Sequence, residues 1–130
     1  MINYDFSKPK VKEVLQLYKT SGIYNEQWSE DRMMNTLENS DILLCCYDDK
    51  KLIGIARGIT DFHWIAHLSH LAVHPDYQGQ GIGKKLVQMV NEKLGDGVAL
   101  MVHSVPGAKK FYEGLGFEPY NDVYRIPRKF

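Results

Sequence analysis

The sequence predicts an α/β fold in which a single mixed, mostly antiparallel sheet is flanked by helices. Three strand-like segments, residues 41–47, 53–59 and 64–73, follow one another with short polar turns between them, which is typical of an antiparallel meander. Further on, an apolar strand, an amphipathic helix and a second apolar strand follow in that order, which indicates a parallel pair with a helical crossover. The 130 residues fit one domain, 1–130, with a substantial core.

The N-terminal part of the chain predicts one strand and two helices. Residues 2–6 alternate apolar and polar, as a half-buried strand does. Ser7 can cap a helix over about 8–21, with Pro9 in its first turn and Gly22 at its end, and Ser29 starts a second helix. The apolar residues expected to face inward are Val11, Val14, Leu15 and Tyr18 in the first helix and Met33, Met34 and Leu37 in the second.

The hairpin and the C-terminal half follow the same patterns. Residues 41–47 are nearly all apolar, which suits a central strand covered on both faces. A helix is predicted over 82–94, a buried strand over 98–102 parallel to strand 64–73, and a last helix that Pro106 opens and Gly116 stops. The segments 117–120 and 123–126 are expected to close the sheet as a final strand pair. In strand 53–59 the alternation predicts two faces, one with Ile53, Ile55 and Ile59 and the other with Gly54, Ala56 and Gly58.

The composition narrows the possible partners and the compartment. Sixteen basic and 16 acidic residues give no net charge, so no attraction to nucleic acid or to a membrane surface is expected. Apolar residues make up 44% of the chain, but no apolar run approaches the ~20 residues that span a bilayer. The adjacent Cys45 and Cys46 would point to opposite faces of a strand and form no disulfide framework. With no signal-peptide pattern at the N-terminus, a reducing cytoplasm is expected, and no metal site is predicted.

Three glycines lie at alternate positions between an apolar strand and a helix. Gly79, Gly81 and Gly83 carry no side chains, so successive backbone N–H groups can converge on one point. The N-terminus of the helix contributes about half a positive charge, and Lys84 and Lys85 add to it. The pattern therefore predicts a phosphate or diphosphate site, although an ordinary glycine-rich turn has the same spacing. It matches neither the dinucleotide-binding Gly-x-Gly-x-x-Gly nor the Gly-Lys-Ser/Thr ending of a nucleoside-triphosphate loop.

The segment Gln78-Gly79-Gln80-Gly81-Ile82-Gly83 resembles the Arg/Gln-x-x-Gly-x-Gly/Ala signature of the GCN5-related N-acetyltransferases, and Leu71-Ala72-Val73-His74-Pro75 is similar to the strand end that precedes it. The resemblance implies acetyl-CoA as co-substrate. It also implies that this strand splays away from its neighbour, so that the backbone N–H of Val73 can bind the carbonyl oxygen that gains charge. The cofactor-binding residues it implies are Leu71, Ala72, Val73, Gln78, Gly79, Gln80, Gly81, Ile82, Gly83, Lys84 and Tyr112.

A second stretch, residues 108–117, resembles the family's Ala-x-x-x-Tyr-x-x-x-Gly-Phe signature. The resemblance places Tyr112 beside the coenzyme sulfur, where a phenol of pKa about 10 can protonate the leaving thiolate. A tyrosine buried on a helix face is the structural alternative. The sequence departs from the family at Val105, where an asparagine is common, so one side-chain contact to the cofactor is not expected.

Candidates for the general base and for the acceptor pocket are less specific. The strand 67–74 resembles the histidine-bearing strand of arylalkylamine acetyltransferases, with Ser69 in place of the second histidine. His67 or His70 is the predicted catalytic base, because an imidazole accepts a proton near neutral pH. Alternation sends these two side chains to opposite faces unless a bulge intervenes. The family's acceptor pocket implies substrate-binding roles for Tyr24, Glu26 and Trp28, which otherwise serve as packing anchors or, for Glu26, as a solvated loop charge.

The predicted function is that of an acetyl-CoA-dependent N-acetyltransferase. It would transfer an acetyl group directly to a primary amine of a small-molecule or peptide acceptor. The alternatives are a non-catalytic acyl-CoA-binding sensor and an interaction domain. A homodimer through the last strands is a further expectation from such folds.

Overall fold

The computed structural model describes residues 1–24 and 28–130, and it shows a mixed five-stranded sheet. The strands lie side by side in chain order, with β1 to β4 antiparallel and β5 parallel to β4. The predicted fold class is therefore confirmed. The strands are β1 (Ile2–Asp5), β2 (Ile42–Asp48), β3 (Lys51–Thr60), β4 (Ile65–Val73) and β5 (Ala99–Val102).

Helices cover both faces of the sheet and divide the core into two clusters. On one face, α1 (Val11–Ser21) and α2 (Glu30–Glu38) pack on residues such as Cys45 and Ile55; we call this the α1/α2 face. On the other, α3 (Ile82–Leu94) packs on residues such as Leu44, Cys46 and Leu68; we call this the α3 face. The short α4 (Lys109–Gly114) carries Tyr112 against the α3-face cluster. Within the described residues no helix combines the length and apolar character needed to cross a membrane.

Several local predictions agree with the structure. The bounds of α3 are those expected from its apolar stripe, and β5 is parallel to β4. Ser29 caps α2, where its side chain accepts a hydrogen bond from the backbone N–H of Arg32. Cys45 and Cys46 fall on opposite faces and are both free and buried.

Two predictions about the helices are wrong. Helix α1 begins at Val11, and its N-cap is Lys10, which makes no side-chain capping bond; Ser7 is not the cap. The ring of Pro9 disfavours a helical backbone at the residue before it, and the chain is still extended at Lys10. Met34 in α2 is 47% exposed, because it lies one position beyond the stripe that buries Met33.

The predicted faces of β3 are wrong at one end. The register between β2 and β3 shifts so that Cys46 pairs with Gly54 and Tyr47 pairs with Leu52, which leaves Ile53 as an extra residue. Ile53 therefore packs in the α3-face cluster, whereas Ile55 packs in the other. Ile59, which pairs with His67 of β4, is 50% exposed.

The predicted strand pair at the C-terminus is also wrong. Residues 117–130, all of which the structure describes, form no strand. Pro119 and Pro127 carry no N–H to donate to a ladder, and β5 offers an edge of only four residues. The segment instead reaches α2, where the Arg32 side chain donates a hydrogen bond to the carbonyl oxygen of Phe130 at 3.3 Å. Because the expected strands do not form, they offer no pairing surface for the expected homodimer, and dimerisation itself stays a prediction.

Candidate active site

Strand β4 opens away from β5 at its C-terminal end. The two strands pair only from Ile65 to Leu68, where β5 reaches its end at Val102, while β4 runs on to Val73. The backbone N–H of His74 donates to the carbonyl oxygen of Ile53 at 2.7 Å, on the β3 side. Because successive residues of a strand direct their N–H groups to opposite sides, those of Leu71 and Val73 point to the open edge.

The glycine-rich loop begins at this open edge. A 3₁₀ turn at Pro75–Tyr77 follows β4, and Gly79 and Gly81 then adopt the left-handed conformation with φ of 80° and 83°. The side-chain amide of Gln78 donates to the carbonyl oxygen of Val73 at 2.9 Å. This bond ties the loop to the last residue of the strand. Gln78, predicted to contact the cofactor, thus also holds the loop in place.

The N-terminus of α3 is suited to an anion. Its N-cap is Gly81, which offers no side-chain cap, and the first turn contains no acidic residue. A Cβ added at Gly83 would lie 3.4 Å from the ring of Phe111, so α4 packs closely against the loop. Lys84 is exposed beside the helix end, whereas the Lys85 ammonium lies 5.9 Å from the ring centroid of Tyr4. Of the two lysines, Lys84 is the one left for a ligand.

Tyr112 lies on α4 between two aromatic rings. Its ring centroid is 5.0 Å from that of Phe111 and 5.4 Å from that of Phe117, both edge to face. The side chain is half-buried, and this burial raises the pKa of the phenol above its usual value. Tyr112 therefore keeps its proton at neutral pH and can act as a donor.

A bulge in β4 places the two candidate base residues on the same face. Arg57 of β3 pairs with His70, but the next residue, Gly58, pairs with Leu68, so Ser69 is the extra residue. Leu68 packs on the α3-face cluster before the bulge, and Leu71 and Val73 do so after it. By alternation, His67 and His70 both lie on the α1/α2 face.

His70 is held in the neutral form. Arg57 donates from Nε to His70 Nδ1 at 3.0 Å, and the hydroxyl of Tyr18 lies 3.2 Å from the same nitrogen. Burial first, and then the positive charge of Arg57, lower the pKa of His70 to about 4. A neutral imidazole whose Nδ1 already accepts from a guanidinium is a weak proton acceptor.

His67 is the more accessible imidazole. Its Nδ1 lies 2.9 Å from the hydroxyl of Ser69, and the residue is exposed. Partial burial, and after it the charge of Arg57, lower the pKa of His67, so the ring is free to accept a proton at neutral pH. The catalytic role of either histidine stays a prediction, and the geometry favours His67.

An open cleft with a volume of about 150 Å³ lies on the α1/α2 face beside His70. The indole of Trp28 stacks at a tilt on His70 with 5.0 Å between ring centroids, so this predicted acceptor residue does line the cleft. Tyr24 contacts Trp28 edge to face at 6.3 Å but is not part of the cleft wall, and Glu26 lies outside the described residues. The cleft is lined by Trp28, Arg32, Met33, Thr36, Arg57, His70 and Arg128.

The sequence interpretation missed Arg57, the only charged residue of the apolar run from Leu52 to Ile59. A charge in such a run is a signal that could have been used, because strands buried on both faces seldom contain one. Arg32 and Arg128 carried no such signal. Among the described residues no group of three metal-ligating side chains comes together.

Comparison with known proteins agrees with this geometry. The family described as the acetyltransferase (GNAT) domain matches residues 8–125. The chain therefore belongs to the GNAT acetyltransferase family, whose members use acetyl-CoA. The open edge of β4, the left-handed glycines and the uncapped α3 N-terminus fit that co-substrate.

Relatives and solved structures extend the comparison. An uncharacterized N-acetyltransferase ycf52 from Pyropia yezoensis is 31% identical over 87 residues, which cover 62% of this chain and 50% of the relative. The chain thus spans half the length of that curated relative. A probable acetyltransferase from meticillin-resistant Staphylococcus aureus has a TM-score of 0.88 at 22% identity, with 100% of both chains covered. The PaiA N-acetyltransferase of Thermoplasma acidophilum, solved in complex with coenzyme A, has a TM-score of 0.73 at 20% identity over 95% of this chain and 93% of that one.

Proposed function

We propose that this chain is an acetyl-CoA-dependent N-acetyltransferase that transfers the acetyl group directly to a primary amine of a small-molecule or peptide acceptor. The observation that carries the proposal is the open edge of β4 at Val73, which leads into the uncapped N-terminus of α3. This arrangement presents unpaired backbone donors along one path. Such a path suits a long ligand with a phosphate-rich end.

The coenzyme would bind along that path. The N–H groups of Leu71 and Val73 are directed at the open edge, where they can bind the amide groups of the pantetheine arm and the thioester carbonyl oxygen. The loop from Gly79 to Gly83, with Lys84, can hold the diphosphate. Apart from Lys84, these groups bind through the backbone, so their side chains contribute little beyond the space that glycine leaves.

Direct transfer is favoured over a covalent enzyme intermediate by the state of the cysteines. Cys45 and Cys46 are fully buried, and burial raises the pKa of the Cys45 thiol to about 12 and that of Cys46 above its usual value. Neither is a thiolate at neutral pH, and a thiol is a poor nucleophile. The acceptor nitrogen would therefore attack the thioester carbon itself, with both substrates bound together.

The proton balance assigns roles to two side chains. The attacking amine must lose a proton, and the exposed imidazole of His67 lies on the α1/α2 face. His67 is six positions before Val73 in β4, roughly 20 Å away, so it would accept that proton through a chain of waters and not by direct contact. As the carbon–nitrogen bond forms, the carbon–sulfur bond breaks, and Tyr112 supplies the proton that the departing sulfur takes up. His70 touches Arg57 and acts as a positioning residue.

The test is thiol release from acetyl-CoA across a panel of amines, with Tyr112→Phe and Tyr124→Phe compared with the wild type. Tyr124 is 93% exposed and serves as the matched control. We expect Tyr112→Phe to lower kcat by about 10²-fold, because general-acid help is of that order, and Tyr124→Phe to leave it unchanged. Coenzyme A at about 100 times its Kd should stabilise each protein by ~2.7 kcal/mol. Stabilisation without turnover of any amine would favour an acyl-CoA sensor, and no stabilisation would refute the proposal.

A further inference from the structure

The cleft on the α1/α2 face is positively charged, although the chain as a whole carries no net charge. Arg32, Arg57 and Arg128 all line it, from α2, from β3 and from the C-terminal segment. Within the described residues, none of these three arginines forms an ion pair with an Asp or Glu side chain, and Arg32 contacts the main-chain oxygen of Phe130. Three guanidinium groups line the cleft, and no described Asp or Glu lines it with them.

Arg57 is the most constrained of the three. Arg57 is 9% exposed, and among the residues that the structure describes it is the one charged residue that is buried. Nε donates to His70 at 3.0 Å and one Nη donates to the hydroxyl of Ser40 at 3.1 Å. A guanidinium has five N–H donors, so these two bonds fix its plane and leave donors for a further partner. Burying a cation this far is costly unless it binds an anion or several acceptors.

The other two arginines are positioned by the end of the chain. Arg32 donates to the carbonyl oxygen of Phe130 at 3.3 Å and lies 6.0 Å from the Phe130 ring centroid. This contact brings the C-terminal segment across α2, so that Arg128 reaches the cleft and its charge contributes to lowering the pKa of His70. The segment therefore forms one wall of the cleft.

We propose that the acceptor amine also carries a carboxylate or phosphate group, which Arg57 and Arg128 bind in this cleft with support from Arg32. The inference rests on the proposed acetyl transfer and names the substrate class of that same site. A planar guanidinium matches the oxygens of either anion with paired hydrogen bonds. The neutral amine then has to reach the open edge of β4.

The geometry also sets the distance between the amine and the anionic group of the acceptor. Val73 lies three positions after His70, which contacts Arg57, and at about 3.3 Å per residue this separation is roughly 10 Å. An α-amino acid, whose amine and carboxylate are one carbon apart, is too short to reach both points. An acceptor with its amine several carbons from the anion fits better.

The test compares acids with their uncharged counterparts as acceptors. Glycine, β-alanine and ε-aminocaproate are each paired with the corresponding amide, and phosphoethanolamine is paired with ethanolamine, so that carboxylate and phosphate are separate arms. We expect kcat/KM to be at least tenfold higher for the acid than for its amide in the longest pair, mainly through KM. The variant Arg128→Gln should reduce that ratio at least threefold. Arg125→Gln, an exposed arginine of the same segment outside the cleft, is the matched control.

The outcomes separate the two proposals. If amides are acetylated as well as acids, or if Arg128→Gln weakens both equally, the anionic acceptor is refuted while the acetyltransferase stands. If no amine is acetylated, the anionic acceptor is tested by binding alone. Calorimetry then compares ε-aminocaproate with its amide, each titrated into the coenzyme-bound protein, and equal or absent binding of the two refutes the inference. Arg57→Gln is added as a second variant. Its coenzyme affinity shows whether it has folded.

Discussion

The contact between Arg57 and His70 predicts a specific dependence of stability on pH. The pKa of His70 is about 4 in the folded chain and ~6.5 in an unfolded one. The unfolded chain therefore binds more protons between these values, and stability is lost as the pH falls through that window. The full difference in the pKa of His70 corresponds to about 3 kcal/mol in the free energy of unfolding. About 2 kcal/mol of this is lost between pH 7.5 and pH 5.

Urea denaturation at pH 7.5 and pH 5, on the wild type and on His70→Asn, measures this loss. The amide oxygen of asparagine can replace Nδ1 as the acceptor for Arg57 but does not titrate. We expect the wild type to lose about 2 kcal/mol more than His70→Asn over this interval, since the other titrating groups are shared by both proteins. His103→Asn, at an exposed position, controls for removal of a histidine. Equal losses in the wild type and in His70→Asn would refute the structural argument.

Three further perturbations test the loop and the β4 bulge. Gly81→Ala puts a side chain at φ +83°, so we expect a loss of about 1 kcal/mol in thermal unfolding and a weaker affinity for coenzyme A by titration. Gly58→Ala would place a Cβ 2.3 Å from the carbonyl oxygen of His67 and should cost about 3 kcal/mol, whereas Gly97→Ala meets nothing within 4 Å and should change stability by less than about 0.5 kcal/mol. Deletion of Ser69 should restore a regular ladder in which His67 and His70 are two positions apart and stay on the α1/α2 face, so we expect the variant to fold and to keep its affinity for coenzyme A; loss of folding or of coenzyme binding would count against Ser69 as the extra residue.

Periodicity was sufficient to predict most of the fold. The stripe of α3 recovered its bounds, and the strand–helix–strand order around it recovered the parallel pairing of β5. The two departures from simple alternation have one cause, because Ile53 and Ser69 are each an extra residue in a bulged pair. The sequence left the second departure open, since a bulge between His67 and His70 was one of the alternatives. A bulge changes the face of every residue on one side of it, and no local pattern marks where it falls.

The two parts of the candidate site differ in how far apart their residues lie in the sequence. The loop from Gln78 to Gly83 is local, since glycine conformation and a helix start follow from neighbouring residues, so it could be predicted. The cleft is not local, because Arg32, Arg57 and Arg128 lie on separate elements and meet only in the folded chain. The same holds for the C-terminal segment, where alternation predicted strands but pairing depends on an edge that β5 is too short to offer.

The geometry of β4 explains how one strand can serve two ligands. Its backbone donors at Leu71 and Val73 point along the sheet to the open edge, whereas the side chains of His67 and His70 point out of the sheet to the α1/α2 face. A coenzyme bound to the first set and an acceptor bound beside the second would approach the end of β4 from perpendicular directions. Neither has to leave before the other binds, which is the condition for direct transfer. If Ser69 were part of a regular ladder and not of a bulge, alternation would send His67 and His70 to opposite faces, and only one of them would face the acceptor.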